Sequence, residues 1–183
     1  MSIYRRARVE GGSYFFTVTL ADRTSTLLVD RIEVLRRAFA MTRAELPFRI
    51  DCVVVLPDHL HCIWTLPHAD SDYSSRWQRI KGRFSRACPA GEAVTASRRS
   101  KRERGIWHRR YWEHVLRDER DFSTHVDYIH WNPVKHSHVP RVSEWPHSSF
   151  HRYVREGVLP VDWGGECSRA TMGHGQRYGE RES

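Results

Sequence analysis

Apolar positions along the chain fall into runs with two different periods, and these runs outline its elements. Tyr14 to Leu20 (YFFTVTL) is rich in aromatic and β-branched residues and predicts a first strand. Asp30 stands where a helix cap belongs, with Glu33 three residues on as in a capping box. Ile32, Leu35 and Phe39 then recur at helical spacing, so a first helix is expected to run to Glu45, before Pro47 breaks it. Arg49 to Leu56 is a β-branched run, turned at Pro57-Asp58 directly into His59 to Thr65. So short a turn predicts an antiparallel hairpin of two central strands. On the second of these, Leu60, Cys62 and Trp64 share one face and His59, His61 and Ile63 the other.

Tyr73 to Arg86 reads as a second helix carrying Arg76, Arg79, Lys81, Arg83 and Arg86. Residues 87–106 mix Pro, Gly, Ser and Arg without apolar periodicity and read as a loop or mobile insert. Tyr111 to Arg117 supplies a fourth strand. A third helix is expected from Asp121, with Phe122, Val126 and Ile129 on its apolar side. Pro133 disfavours helical geometry at its predecessor, which puts Asn132 at or just past the helix end. The order β-α-β-β-α-β with an added helix is the ferredoxin-like arrangement of the α+β class, with the histidine strand in the middle of an antiparallel sheet.

Residues 1–165 therefore read as one domain, with a basic N-terminal arm over 1–12, a basic insert over about 87–110, and an aperiodic, disordered tail over 166–183. Seven Trp and seven Phe within a 39% apolar composition are enough for a core. No run of about 18 apolar residues predicts a membrane span. The basic start MSIYRRARVEGG has no apolar segment behind it and does not read as a secretory signal. Cys52, Cys62, Cys88 and Cys167 are widely spaced without a CxxC pair, which fits a reducing cytoplasm and no disulfide framework.

The formal net charge of +8 is unevenly spread. The segment RRSKRERGIWHRR, Arg98 to Arg110, holds seven Lys and Arg against the single acid Glu103. That is the footprint of a polyanion binder and equally of a solvated loop.

The candidate chemistry starts at His59 and His61. Two imidazoles one residue apart on a strand point the same way and can hold one divalent metal. Twelve His in the chain also make a chance pair of partly buried rings an ordinary outcome. Tyr128 and Asn132 stand four apart and share a helical face, where core packing and a helix stop explain each of them alone. Together, a metal pair and a tyrosine on a separate helix are what metal-assisted attack on a phosphodiester requires.

The runs DHLHCIW and DYIHWNPVKHSHV, in that order, resemble the single-tyrosine HUH transposases, and among them most closely the REP-associated tyrosine transposases (the IS200-like group). The resemblance extends from about Tyr4 to Trp163 through YFFTVTLADR, LPDHLH, IWHRRYWEHVLRDERDF and WPHSSFHRY. It implies His59 and His61 as metal ligands, Asn132 as the third ligand and Tyr128 as the nucleophile. It also implies Mg²⁺ or Mn²⁺ as cofactor and a 5′-phosphotyrosine intermediate that conserves the energy for rejoining strands.

The implied partners are single-stranded DNA hairpins, REP-like palindromes with a short adjacent recognition sequence, bound in a bacterial cytoplasm at the nucleoid. The late WPHSSFHRY region resembles the monomeric branch, so a monomer is expected over a dimer. Arg79, Lys81, Arg83, Arg98, Arg99, Lys101, Arg102, Arg109, Arg110 and Lys135 are the candidate phosphate contacts. Trp107, Tyr111, Trp112 and Trp131 are candidate base-stacking residues or core. The alternatives are a catalytically silent hairpin-binding regulator, a replication or mobilisation nickase of the same chemistry, and a structural or RNA-binding module with a chance His-Leu-His.

Overall fold

The structure, a computed structural model, describes residues 7–88 and 104–164. The core of the basic insert (89–103) and the tail from 165, expected to be disordered, lie outside the described residues. The elements in chain order are β1 (Ser13–Thr19), α1 (Leu27–Asp30), α2 (Ile32–Glu45), β2 (Arg49–Val55), β3 (His59–Thr65), α3 (Tyr73–Ala87), β4 (Trp112–Val115), α4 (Glu119–Lys135), a short 3-10 turn (Val142–Glu144) and α5 (Phe150–Arg155).

The four strands form one antiparallel sheet in the order β2-β3-β1-β4, the ferredoxin-like α+β order expected, and the histidine strand β3 is central. The hairpin itself is not central, because β1 inserts on the far side of β3 and leaves β2 at an edge. That edge is covered by the late chain: Ser149 N–H donates to Val53 O and Val55 N–H to His147 O, both at 2.8 Å.

The period-two alternation of β3 sorts its residues as expected. Leu60, Cys62 and Trp64 join Tyr14, Phe16 and Val18 of β1 under α2 and α3, where Trp64 stacks on Trp77 at 4.3 Å. On the opposite face Ile63 joins Phe15, Cys52 and Val54 under Val126 and Ile129 of α4. The His59 and His61 side therefore belongs to the α4 layer, with α2 and α3 behind the sheet. None of the described helices is long and apolar enough to cross a membrane.

Local signals failed where tertiary contacts outweighed them. Asp30 does not cap α2; its carboxylate accepts the Thr26 hydroxyl at 2.7 Å, and the helical path breaks at Arg31. The third long helix starts at Glu119, capped by Asp118, whose carboxylate accepts the Asp121 N–H at 2.8 Å. Its other end also differs: α4 runs through Pro133 to Lys135, so Asn132 lies inside it. The preference of a pre-proline residue against helix is modest, and burial of both Asn132 and Pro133 overrides it. The helix closes at Ser137, whose φ of 58° lets His138 N–H reach Pro133 O at 2.9 Å.

Candidate active site

His59 and His61 project from the middle of the sheet at 2% and 0% exposure, with ring centroids 5.0 Å apart. Each ring is fixed through Nδ1. His59 Nδ1 lies 2.8 Å from Asp58 Oδ1, and His61 Nδ1 lies 2.9 Å from Thr17 Oγ1, its direct cross-strand partner on β1. Burial pushes the Asp58 carboxyl up, but the His59 ring and Arg23, 3.0 Å from its other oxygen, hold it below the usual range. Asp58 thus stays ionised and accepts the His59 Nδ1–H, which leaves Nε2 as the ring nitrogen turned away from the carboxylate. This buried Nε2 has no hydrogen-bond partner among the described residues. A carboxylate that orients an imidazole in this way is the usual support of a metal ligand.

The facing wall is α4. Tyr128, Asn132 and His136 succeed one another at intervals of four, on one helical side. The Tyr128 ring stands edge-on to His61 at 5.2 Å, and the His136 ring edge-on to His59 at 5.3 Å. Asn132 lies between Tyr128 and His136 along the same side of the helix. It is fully buried, and neither atom of its amide has a hydrogen-bond partner among the described residues. An unpaired buried polar group costs about 1–3 kcal/mol, a cost that a bound cation would offset. The amide oxygen of Asn132 and Nε2 of His59 are donor atoms of the kind a divalent metal takes.

Tyr128 itself is half-buried. Lys135 donates to its hydroxyl at 3.3 Å and lies 4.8 Å from its ring centroid. Two residues further along the helix, His130 Nε2 contacts Cys52 Sγ at 3.2 Å and Ser149 Oγ at 3.1 Å, which ties α4 to β2 and to the chain that covers its edge. The trio has the composition of a nucleophile and base but not the protonation: burial lifts the Cys52 thiol to about 12 and depresses His130 to about 3. Both are neutral at pH 7, and the trio anchors the helix.

The expected phosphate contacts separate. Arg79 and Arg83 lie behind the sheet and both pair with Glu45 of α2; Arg83 also donates to Thr42 Oγ1 at 2.6 Å. Arg76 is buried on Asp70, Asp72 and Pro47. Lys81 donates to His108 O at 2.8 Å and lies 5.8 Å from the ring centroids of both Trp107 and Tyr111. Arg109 and Arg110 beside it are exposed. Arg98, Arg99, Lys101 and Arg102 lie outside the described residues. Trp107 is buried in the core, while Tyr111, Trp112 and Trp131 are half-buried.

Sequence reasoning missed His136, one helical turn past Asn132, and a cluster of His114 on β4 with Asp121 and His125 on α4. The i, i+4 spacing of the last two was its only trace in the sequence.

No family model matches the chain. A REP-associated tyrosine transposase of Escherichia coli (strain K12) is 46% identical over 173 residues, 94% of this chain and 97% of that protein. A Haemophilus influenzae relative of the same description is 45% identical over 166 residues, 90% of this chain and 94% of its own. The solved structure of a REP-associated tyrosine transposase bound to a REP hairpin superposes with a TM-score of 0.85 at 44% identity, covering 100% of this chain and 99% of that one. Similarity of this extent, together with the fold, shows that the chain belongs to the REP-associated tyrosine transposases, enzymes that cleave DNA and transfer its strands.

Proposed function

We propose that this protein nicks and rejoins single-stranded DNA beside palindromic REP-like hairpins, with Tyr128 as the nucleophile. The observation that carries the proposal is the placement of the Tyr128 ring on His61 of the buried histidine pair, with its hydroxyl on the half-exposed side beside Lys135. The relative solved with a REP hairpin supports the hairpin as partner.

His59, His61 and Asn132 would hold a divalent cation, Mg²⁺ or Mn²⁺, which would polarise the scissile phosphate. Asp58 and Thr17 keep the two imidazoles aimed, and α4 brings the tyrosine to them. The Tyr128 oxygen bonds to phosphorus as the P–O3′ bond breaks; the phenol loses its proton and the departing 3′-oxygen gains one. The products are a 5′-phosphotyrosine and a free 3′-OH. Attack by a 3′-OH on the same phosphorus reverses the step, restores the phenol and joins strands.

The Lys135 ammonium stabilises negative charge on the tyrosine oxygen in both directions. Lys81, Arg109 and Arg110 supply phosphate contacts away from the chemistry, and Arg98, Arg99, Lys101 and Arg102 extend the same basic segment. The protein acts as a monomer in the bacterial cytoplasm, at the nucleoid.

The test is incubation of the full chain with 5′-flanked single-stranded hairpin DNA and Mg²⁺ or Mn²⁺, followed by denaturing gel electrophoresis. A covalent protein–DNA adduct is expected that requires the cation and disappears in Tyr128→Phe. Tight hairpin binding without any adduct would instead identify a silent binding protein.

A further inference from the structure

A second set of ligating atoms lies one helical turn before Tyr128. His114 stands on β4, and Asp121 and His125 stand four apart on α4, facing it. His114 Nε2 is 2.9 Å from Asp121 Oδ2, and His125 Nδ1 is 3.2 Å from Asp121 Oδ1. All three groups offer a ligand atom within 4.8 Å of the others. Two ligands bound to one ion at about 2.1 Å stand about 3.0–3.4 Å apart; an ion would take the place of the protons now shared between these groups, and His125 would give up the contact of its Nδ1 with the Asp121 backbone oxygen at 2.7 Å.

Exposure falls from 26% at His114 through 11% at Asp121 to 1% at His125, so the group opens to solvent at one end and is dry at the other. A cation at this position needs an ionised carboxylate. Burial pushes the Asp121 carboxyl up, but hydrogen bonds from His114 and Arg117 hold it at about 2. Burial pushes His125 down, which favours its neutral ring at pH 7. Arg117, 3.2 Å from Asp121 Oδ2, is the resident positive charge; its side chain is 75% exposed and can swing away. Asp118 and Glu119 add negative charge to the same helical turn.

We propose that His114, Asp121 and His125 form a second divalent-cation site, apart from the His59–His61 pair, for a borderline transition-metal ion such as Zn²⁺ or Co²⁺. Two imidazoles and one carboxylate are donors that suit such ions. An ion there joins β4 to the first turns of α4. The Phe15 ring lies 4.7 Å from His125, 5.5 Å from His61 and 6.0 Å from Tyr128, so filling the site stiffens the packing on which the tyrosine rests.

The site stands on geometry independent of any role for His59 and His61, and the experiment separates the two. The full-length protein, stripped with a chelator, is titrated with Co²⁺ and followed by visible absorption and calorimetry. The wild type is expected to bind two ions and the His59→Ala/His61→Ala protein one. In that background Asp121→Asn and His114→Gln should each weaken the remaining ion at least tenfold, while His108→Gln on the surface leaves it unchanged. Melting curves establish that each variant is folded, and the half-buried His114 position serves if Asp121→Asn is not.

A wild type that binds one ion, lost with His59 and His61, overturns this site and upholds the pair. An ion kept in the double-alanine protein and lost with Asp121 upholds this site whatever the pair does. Binding that fades equally with His108→Gln is adventitious and overturns the proposal.

Discussion

The ring of Tyr128 meets the ring of His61 edge-on, 5.2 Å between centroids, across the gap between α4 and the centre of the sheet. The same tyrosine lies 6.0 Å from Phe15, so its ring is part of the α4 packing layer while its hydroxyl meets Lys135. Packing and chemistry therefore reside in different atoms of one side chain. Tyr128→Phe keeps the ring and removes the oxygen. Its thermal stability is expected to stay within about 0.5 kcal/mol of wild type, and its hairpin affinity by fluorescence anisotropy within about threefold. A large loss of either would mean that the hydroxyl is structural.

Asn132 gives the opposite expectation for stability. Its amide is fully buried without hydrogen-bond partners among the described residues. Replacing an unsatisfied polar group with an apolar one of similar shape removes a cost of about 1–3 kcal/mol. Asn132→Leu should therefore raise the metal-free melting temperature while abolishing cation-dependent adduct formation. A lower melting temperature would show that the amide bonds within the fold.

How far the sequence reaches can be followed through these same residues. The shared direction of His59 and His61 needed only the period of a strand, and the common face of Tyr128 and Asn132 only the period of a helix. Both relations are local, and both hold in the structure. That α4 lies over β3 is a tertiary fact, and it came from the family resemblance rather than from periodicity.

The edge position of β2 was not legible, because it depends on β1, some thirty residues earlier, pairing with β3. Asn132 was misplaced at a helix end because the local signal of Pro133 is weaker than the burial of both residues. The grouping of His114, Asp121 and His125 requires β4 and α4 to be neighbours, which no spacing within either element reveals.

His130 makes stability depend on pH. Burial among Cys52, Ser149 and Tyr153 holds its ring neutral, with the folded value near 3 against 6.5 for the free ring. Below pH 6.5 the unfolded chain takes up a proton that the native ring refuses. Stability is therefore intact above that pH and is lost progressively as pH falls toward 3. Between pH 7 and pH 5 this ring accounts for a loss of about 2 kcal/mol. His125, His138 and His147 are also depressed by burial and add to the wild-type slope in the same direction. In urea unfolding, His130→Gln should lose about 2 kcal/mol less than wild type over that interval. Equal losses would mean that His130 is protonated in the native state.

The basic residues can be sorted by salt. Arg109 and Arg110 are exposed, next to Lys81 and the Trp107–Tyr111 aromatics, whereas Arg79 and Arg83 are paired with Glu45 behind the sheet. A Lys or Arg that neutralises a phosphate on binding contributes about −0.7 to −0.9 to the slope of log K against log salt concentration. The double change Arg109→Ala/Arg110→Ala should weaken hairpin binding and flatten the slope by about 1.4–1.8, because two counterions fewer are released. Arg79→Ala should leave the slope unchanged, since its charge is already met by a carboxylate of the fold. Salt titrations of hairpin affinity decide both cases. A slope that flattens for Arg79→Ala but not for the Arg109 and Arg110 pair would place the phosphate contacts at Arg79 and away from the Arg109–Arg110 segment.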